Sequence, residues 1–206
     1  MSATNLLERV PLDALCRSRP AVRAGLLCTL MAALTALAAQ ARILLPFTPV
    51  PITLQVMMVL LSGGLLGSRL GAASQAGYVL LGACGLPVFA VGKGGIAGLT
   101  GPTAGYIFGF VAGAFVFGWL LERGARGTAL TFAASLAAIA CIYLPGWLWL
   151  ACWMSVAGQG HGLASALRAG VLPFIVPDLL KAAVATPIVR EARRRADKLA
   201  QGEKMG

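Results

Sequence analysis

Five stretches of this chain carry no charged side chain: residues 24–41, 43–68, 70–92, 94–121 and 127–160. A bilayer core about 30 Å thick is crossed by about 20 consecutive apolar residues in a helix. Each stretch is near or above that length, so the chain reads as a polytopic membrane protein whose backbone hydrogen bonds close within its helices. Soluble domains carry about 25% charged residues; this chain carries 12%, against 58% hydrophobic, with a mean hydropathy of +0.82. The expected fold class is an all-α membrane protein, a six-transmembrane-helix bundle with irregular, Pro/Gly-rich outer loops. Its spans are expected near 22–44, 52–67, 69–87, 103–122, 128–154 and 172–192. The 127–160 run is taken as one long span, although Leu144-Pro145-Gly146 also offers a turn at which two shorter spans could meet.

The basic residues choose an orientation. With six spans, one side carries the N-terminal segment, Arg69, Arg123, Arg126 and the C-terminal tail, which together hold 13 of the 17 Lys and Arg residues. The other side holds Arg42, Lys93, Arg168 and Lys181. Cytoplasmic loops carry the Lys/Arg excess, so both termini are expected in the cytoplasm. The same asymmetry accounts for the net charge of +10, with anionic lipid headgroups met near REARRRADK. The tail lacks the aromatic interleaving of a nucleic-acid surface, so no nucleic-acid partner is expected. Arg17, Arg19 and Arg23 followed by an apolar run and Ala39-Gln40-Ala41 also fit a secretory signal peptide. The basic segment is long for that role, and the first span is kept as mature structure. The expected division is an N-terminal cytoplasmic extension (1–20), a transmembrane domain (21–195) and a basic cytoplasmic tail (196–206).

No catalytic machinery is legible. Cys16, Cys28, Cys84, Cys141 and Cys152 show no paired spacing, and His161 is the one histidine, so no metal set is expected. There is no nucleophile elbow and no H-E-x-x-H. The chain is expected not to be an enzyme and to need no cofactor.

Against that apolar background, Asp178 is the one acid embedded in an apolar stretch, VLPFIVPDLLKAAVATPIV, and Lys181 follows three residues later on the same helix face. An ionised side chain at the centre of a bilayer helix costs about 2.5–3.5 kcal/mol on insertion scales. Two readings meet the cost: an ion pair that neutralises itself inside the bundle, or the polar anchor of a ligand site.

Glycines at 101, 105, 109 and 113, and at 63, 67 and 71, recur every fourth residue, a spacing that lets helix backbones approach closely in lipid. Ala32 and Ala36, with Gly25, Thr29 and Ala33 on an adjoining stripe, make a similar smooth face on the first span, suited to internal packing or to a partner subunit. Two outer connections look specialised. In LPFTPVPITLQ (45–55), Pro46, Pro49 and Pro51 prevent a regular helix, and Gln55 supplies a donor and an acceptor. LPVFAVGKGGIAGLTGPTAGY (86–106) is dense in glycine and carries Phe89, Lys93, Thr103 and Tyr106. It is not a P-loop, because Gly94 follows Lys93. Either connection serves as a structural loop or as a lid over a small ligand.

Read together and in order, LPFTPVPITLQ, YVLLGACGLPVFA (78–90), GGIAGLTGPTAGY (94–106) and LPFIVPDLLKA (172–182) resemble the BioY family, the biotin-specific substrate-binding subunits of energy-coupling factor (ECF) transporters. The similarity covers roughly residues 25–190. It implies six membrane helices in a bacterial plasma membrane and an outward-facing biotin cavity. It further implies partnership with a transmembrane coupling protein and two cytoplasmic ATPases. Ala32 and Ala36 match the family's A-x-x-x-A docking motif, and Asp178 and Lys181 match its closing D-x-x-K pair. Biotin's ureido group, apolar ring and carboxylate then suit Asp178 as an acceptor of N–H, Lys181 as a donor to the ureido carbonyl or the carboxylate, and Phe89, Tyr106 and Phe47 as apolar walls. Gln55, Lys93 and Thr103 are the further contacts expected from the two loops. The competing expectations are a subunit for another small vitamin and a non-transport assembly or regulatory protein.

Overall fold

The computed structural model describes residues 20–125, 127–158 and 162–202. The expected N-terminal extension up to residue 19, together with Arg126, His161 and residues 203–206 of the tail, lies outside the described residues. Eight α-helices occur among them: α1 (Pro20–Gln40), α2 (Gln55–Leu66), α3 (Ser68–Ala83), α4 (Gly95–Leu99), α5 (Ala104–Glu122), α6 (Thr128–Val156), α7 (Leu163–Gly170) and α8 (Leu172–Gly202). A two-residue antiparallel pair, β1 (Arg42–Ile43) and β2 (Ile52–Thr53), joins α1 to α2, with Arg42 opposite Thr53. The prolines at 46, 49 and 51 fill the turn of this hairpin, where missing N–H groups do no harm.

The all-helical expectation holds, and the six-span count is only partly matched. Among the described residues four helices are long and apolar enough to cross a membrane: α1, α5, α6 and α8. The expected spans at 52–67 and 69–87 are shorter helices. At 1.5 Å per residue, α2 (12 residues) and α3 (16 residues) reach about 18 and 24 Å, less than the apolar core of a bilayer. The cause is local. Extended β2 delays the start of α2, Gly67 with φ 84° breaks the chain between the two helices, and Gly85 with φ 99° follows the end of α3. By contrast, the 127–160 run forms one helix that passes through Pro145. Pro145 removes one backbone hydrogen bond and leaves the helix continuous. The last helix extends beyond the expected 192 to Gly202, carrying the basic segment with it. The short helices α4 and α7 were not expected.

The glycine stripes are packing surfaces at 105, 109 and 113 and at 63 and 71, whereas Gly101 and Gly67 lie outside the helices. A β-carbon on Gly109 would lie 2.8 Å from the Ile142 carbonyl oxygen, and one on Gly113 would lie 2.7 Å from Ile142 Cγ1. Helix α5 therefore touches α6 backbone to backbone. A β-carbon on Gly71 would meet Gly63 Cα at 2.7 Å, which draws α3 against α2. Such contacts supply dispersion energy where lipid gives no hydrophobic drive between helices. Helix α5 is the most enclosed of the four long helices, with 61% of its apolar window buried against 17% for α1.

Polar side chains inside the bundle are mostly satisfied locally, the buried Gln75 Oε1 being without a hydrogen-bond partner among the described residues. Gln75 Nε2 donates to the hydroxyls of Thr35 and Ser62 at 3.2 and 3.1 Å, linking α1, α2 and α3. At the basic end, Glu122 accepts the Ser68 backbone N–H and the Ser68 hydroxyl, both at 2.7 Å, and so caps α3 from the end of α5. Arg193 Nε donates to the Gly64 carbonyl at 2.8 Å, anchoring α8 to α2 at that same end.

Candidate functional site

The opposite end of the bundle holds a cavity with about 570 Å³ of empty space, its mouth included. The hairpin contributes Val50, Pro51 and Thr53, α2 contributes Gln55 and Val56, and Ala90 and Thr103 come from the glycine-rich connection. Tyr106, Ile107 and Phe110 of α5, Ile142 and Tyr143 of α6, and Phe174, Asp178 and Lys181 of α8 complete the wall.

Asp178 and Lys181 are where the polar character concentrates. Both are buried, at 2% and 8% exposure, and Lys181 Nζ donates to Asp178 Oδ1 at 2.6 Å. Their spacing of three residues on α8 brings the two groups together. The second carboxylate oxygen, Oδ2, accepts a hydrogen bond from the Tyr143 hydroxyl at 2.7 Å. A buried carboxylate without partners would be strongly disfavoured, and here a cation and a phenol share it. The cluster still has capacity. Each carboxylate oxygen has a second lone pair, and the ammonium has further N–H donors. An acceptor and a donor thus stand side by side at the edge of an otherwise mostly apolar chamber. That arrangement complements a neutral group carrying N–H and C=O next to each other, attached to an apolar body.

The expected site residues divide in two. Asp178, Lys181, Gln55, Thr103 and Tyr106 all line the cavity. Besides the Asp178–Lys181 pair, two of them already have their polar groups engaged. Gln55 Nε2 donates to the Tyr78 hydroxyl at 2.7 Å, and its Oε1 accepts from Thr53 Oγ1 at 3.0 Å. The Tyr106 hydroxyl donates to the Gly170 carbonyl at 2.8 Å, so its ring rather than its oxygen is offered to the cavity.

Phe89, Lys93 and Phe47 are not among the lining residues. Phe89 is a core residue, edge-on to Tyr78 with ring centroids 5.5 Å apart. Lys93 is exposed, and its backbone carbonyl accepts the Phe89 N–H at 2.9 Å. Phe47 lies at the tip of the hairpin, 64% exposed. Of the expected docking pair, Ala32 is turned into the core at 2% exposure and Ala36 is half-buried, whereas Gly25, Thr29 and Ala33 beside them are exposed.

Sequence reasoning missed Tyr143, Phe110 and Phe174. The signal for Tyr143 was available. The chain's three tyrosines, 78, 106 and 143, all fall in apolar segments, and a buried phenol needs a hydrogen-bond partner. Phe110 and Phe174 carry no such signal, since an aromatic side chain in an apolar run is equally at home facing lipid or core.

The sequence profile of the BioY family matches residues 9–198. A probable biotin transporter BioY from Pyrococcus horikoshii is 46% identical over 162 residues, covering 79% of this chain and 91% of the relative. The biotin transporter BioY of Thermotoga maritima is 43% identical, covering 73% and 85%. Among solved structures, the S-component for biotin from an ECF-type ABC transporter superposes with a TM-score of 0.75 at 28% identity, covering 84% of this chain and 92% of that one. With most of its length matched by the family profile and its fold shared with a solved S-component, this chain belongs to the BioY family.

Proposed function

We propose that this protein is the biotin-binding integral-membrane subunit of an ECF-type uptake transporter, capturing biotin on the outer side and releasing it inside. The observation that carries the reading is the buried Asp178–Lys181 pair with Tyr143 on the wall of a largely apolar cavity. In this reading Asp178 accepts a ureido N–H and Lys181 donates to the ureido carbonyl. Phe110, Phe174 and Ile142 enclose the apolar ring and chain. Thr103, Tyr106 and Gln55 border the ligand, and the hairpin with the 86–106 connection covers it.

The basic end of α8 lies in the cytoplasm among anionic headgroups, both termini are cytoplasmic, and α2 with the hairpin before it and α3 with the connection after it complete six crossings of a bacterial inner membrane. The protein binds and reorients rather than catalyses. ATP hydrolysis belongs to cytoplasmic partner subunits, reached through a transmembrane coupling protein that meets the Ala36 side of α1. No nucleic acid takes part.

Calorimetry with biotin on the purified chain, on Asp178→Asn and on Lys181→Ala tests this. The parent is expected to bind, and each variant to lose about 10- to 100-fold in affinity, the value of a hydrogen bond to a charged group. A parent that binds no biotin overturns the function; variants that bind like the parent overturn the site.

A further inference from the structure

Tyr143 stands outside the motifs that mark this family in the sequence, yet it is the one side chain from α6 that bonds to the ionic pair of α8. An Asp carboxylate turns readily about its last torsion, which is broad and two-fold. Lys181 steadies only Oδ1, from the end of a flexible four-carbon chain. The Tyr143 hydroxyl holds Oδ2 from a rigid ring on a different helix. The ring's root is itself well fixed. The neighbouring Ile142 is the residue that Gly109 approaches backbone to backbone, and Pro145 Cγ would lie 3.1 Å from a β-carbon on that same glycine. Tyr143 therefore projects from a part of α6 that is closely seated against the central helix.

We propose that Tyr143 is a positioning residue for ligand recognition. Its hydroxyl fixes the rotation of the Asp178 carboxylate, and so fixes which lone pairs face the cavity to receive the ligand's N–H groups. The proposal rests on the reading of Asp178 as the acceptor for biotin. It assigns specificity for a rigid N–H donor to a residue two helices away in sequence from the D-x-x-K pair. A carboxylate held at both oxygens accepts from one direction, and a freely turning one accepts from many.

The test is a double-mutant cycle in biotin affinity on the purified full chain, with Asp178→Asn, Tyr143→Phe and the two combined. Tyr143→Phe keeps the ring and removes one hydrogen bond to a charged group, so affinity falls about 10-fold. The double variant binds no more weakly than Asp178→Asn alone, because the hydroxyl acts through the carboxylate. Additive losses would mean that Tyr143 touches the ligand independently or acts on the fold, and would overturn the proposal. So would Tyr143→Phe with the parent's affinity. A second arm avoids dependence on the folding of Tyr143→Phe. Replacement of Tyr143 by 3,5-difluorotyrosine keeps the ring's shape and alters only the O–H donor. It shifts affinity in the parent background and leaves it unchanged beside Asp178→Asn; equal shifts in both backgrounds overturn the proposal. A parent chain that binds no biotin is a separate result, which removes the reading of the site itself.

Discussion

The tip of the Phe89 ring occupies the space that a β-carbon on Gly82 would take, and its Cδ2 edge lies against Gly98. This one side chain joins α3 to the α4 segment and completes the core beside Tyr78. Phe89 is thus a core residue beside the cavity-lining Ala90 and does not itself line the cavity. Phe89→Ala is expected to lower stability by about 3–5 kcal/mol, as for other buried Phe truncations. Phe47→Ala, on an exposed ring, is expected to change stability by less than about 0.5 kcal/mol. Thermal unfolding in detergent without ligand distinguishes the two. A Phe89 variant as stable as the Phe47 variant would deny the structural role.

Gln55, Tyr78 and Val88 form a relay. The Gln55 amide donates to the Tyr78 hydroxyl, which donates in turn to the Val88 carbonyl at 3.2 Å. The start of α2, the middle of α3 and the glycine-rich connection are held by one phenol. Tyr78→Phe keeps the packing and leaves both the amide and the carbonyl without that partner, at an expected cost of about 1–3 kcal/mol. Hydrogen exchange of the 86–94 amides should rise in this variant. Unchanged protection there would show that the relay does not restrain the connection.

How much of this was legible beforehand differs by element. The long apolar helices follow from charge-free length alone, because a bilayer admits few other solutions. The Asp178–Lys181 contact follows from spacing within a single helix. The short second and third helices do not, since hydropathy runs smoothly through residues 43–68 while Gly67 and the proline hairpin break the backbone there. Tyr143 and Phe174 come together only through the packing of α6 against α8, which no local pattern encodes. Phe89 illustrates the opposite failure. An aromatic residue in a glycine-rich loop suggests a ligand wall, and the glycines around it are instead the socket that receives its ring.

Two glycines one helix apart should respond oppositely to the same substitution. A β-carbon at Gly109 collides with the α6 backbone, so Gly109→Ala must push α5 away from α6 and is expected to cost about 1–3 kcal/mol. Gly77, inside α3, has nothing within 4 Å of its missing β-carbon. There Gly77→Ala is expected to be neutral or stabilising by up to about 1 kcal/mol, since alanine is the better helix former. Melting temperatures of the two purified variants decide the matter. Equal effects would mean that the α5–α6 contact is looser than its glycine spacing implies.

The α1 face offers a sharper separation between packing inside the chain and docking outside it. Ala32 is buried in the core and lies one turn from Thr35, which takes part in the Gln75 hydrogen-bond cluster. Ala33, the next residue, is exposed on the stripe it shares with Gly25 and Thr29. Ala32→Leu is therefore expected to overpack the bundle and lower the isolated chain's stability by about 1–3 kcal/mol. Ala33→Leu adds a side chain to an open surface and should leave the melting temperature of the isolated chain unchanged. If the coupling protein seats on this smooth face, Ala33→Leu reduces co-purification with it while biotin affinity is retained. An Ala32→Leu variant with parental stability and lost co-purification would instead place Ala32 itself at the partner contact. That result would require α1 to rotate its buried side outward before the two proteins meet.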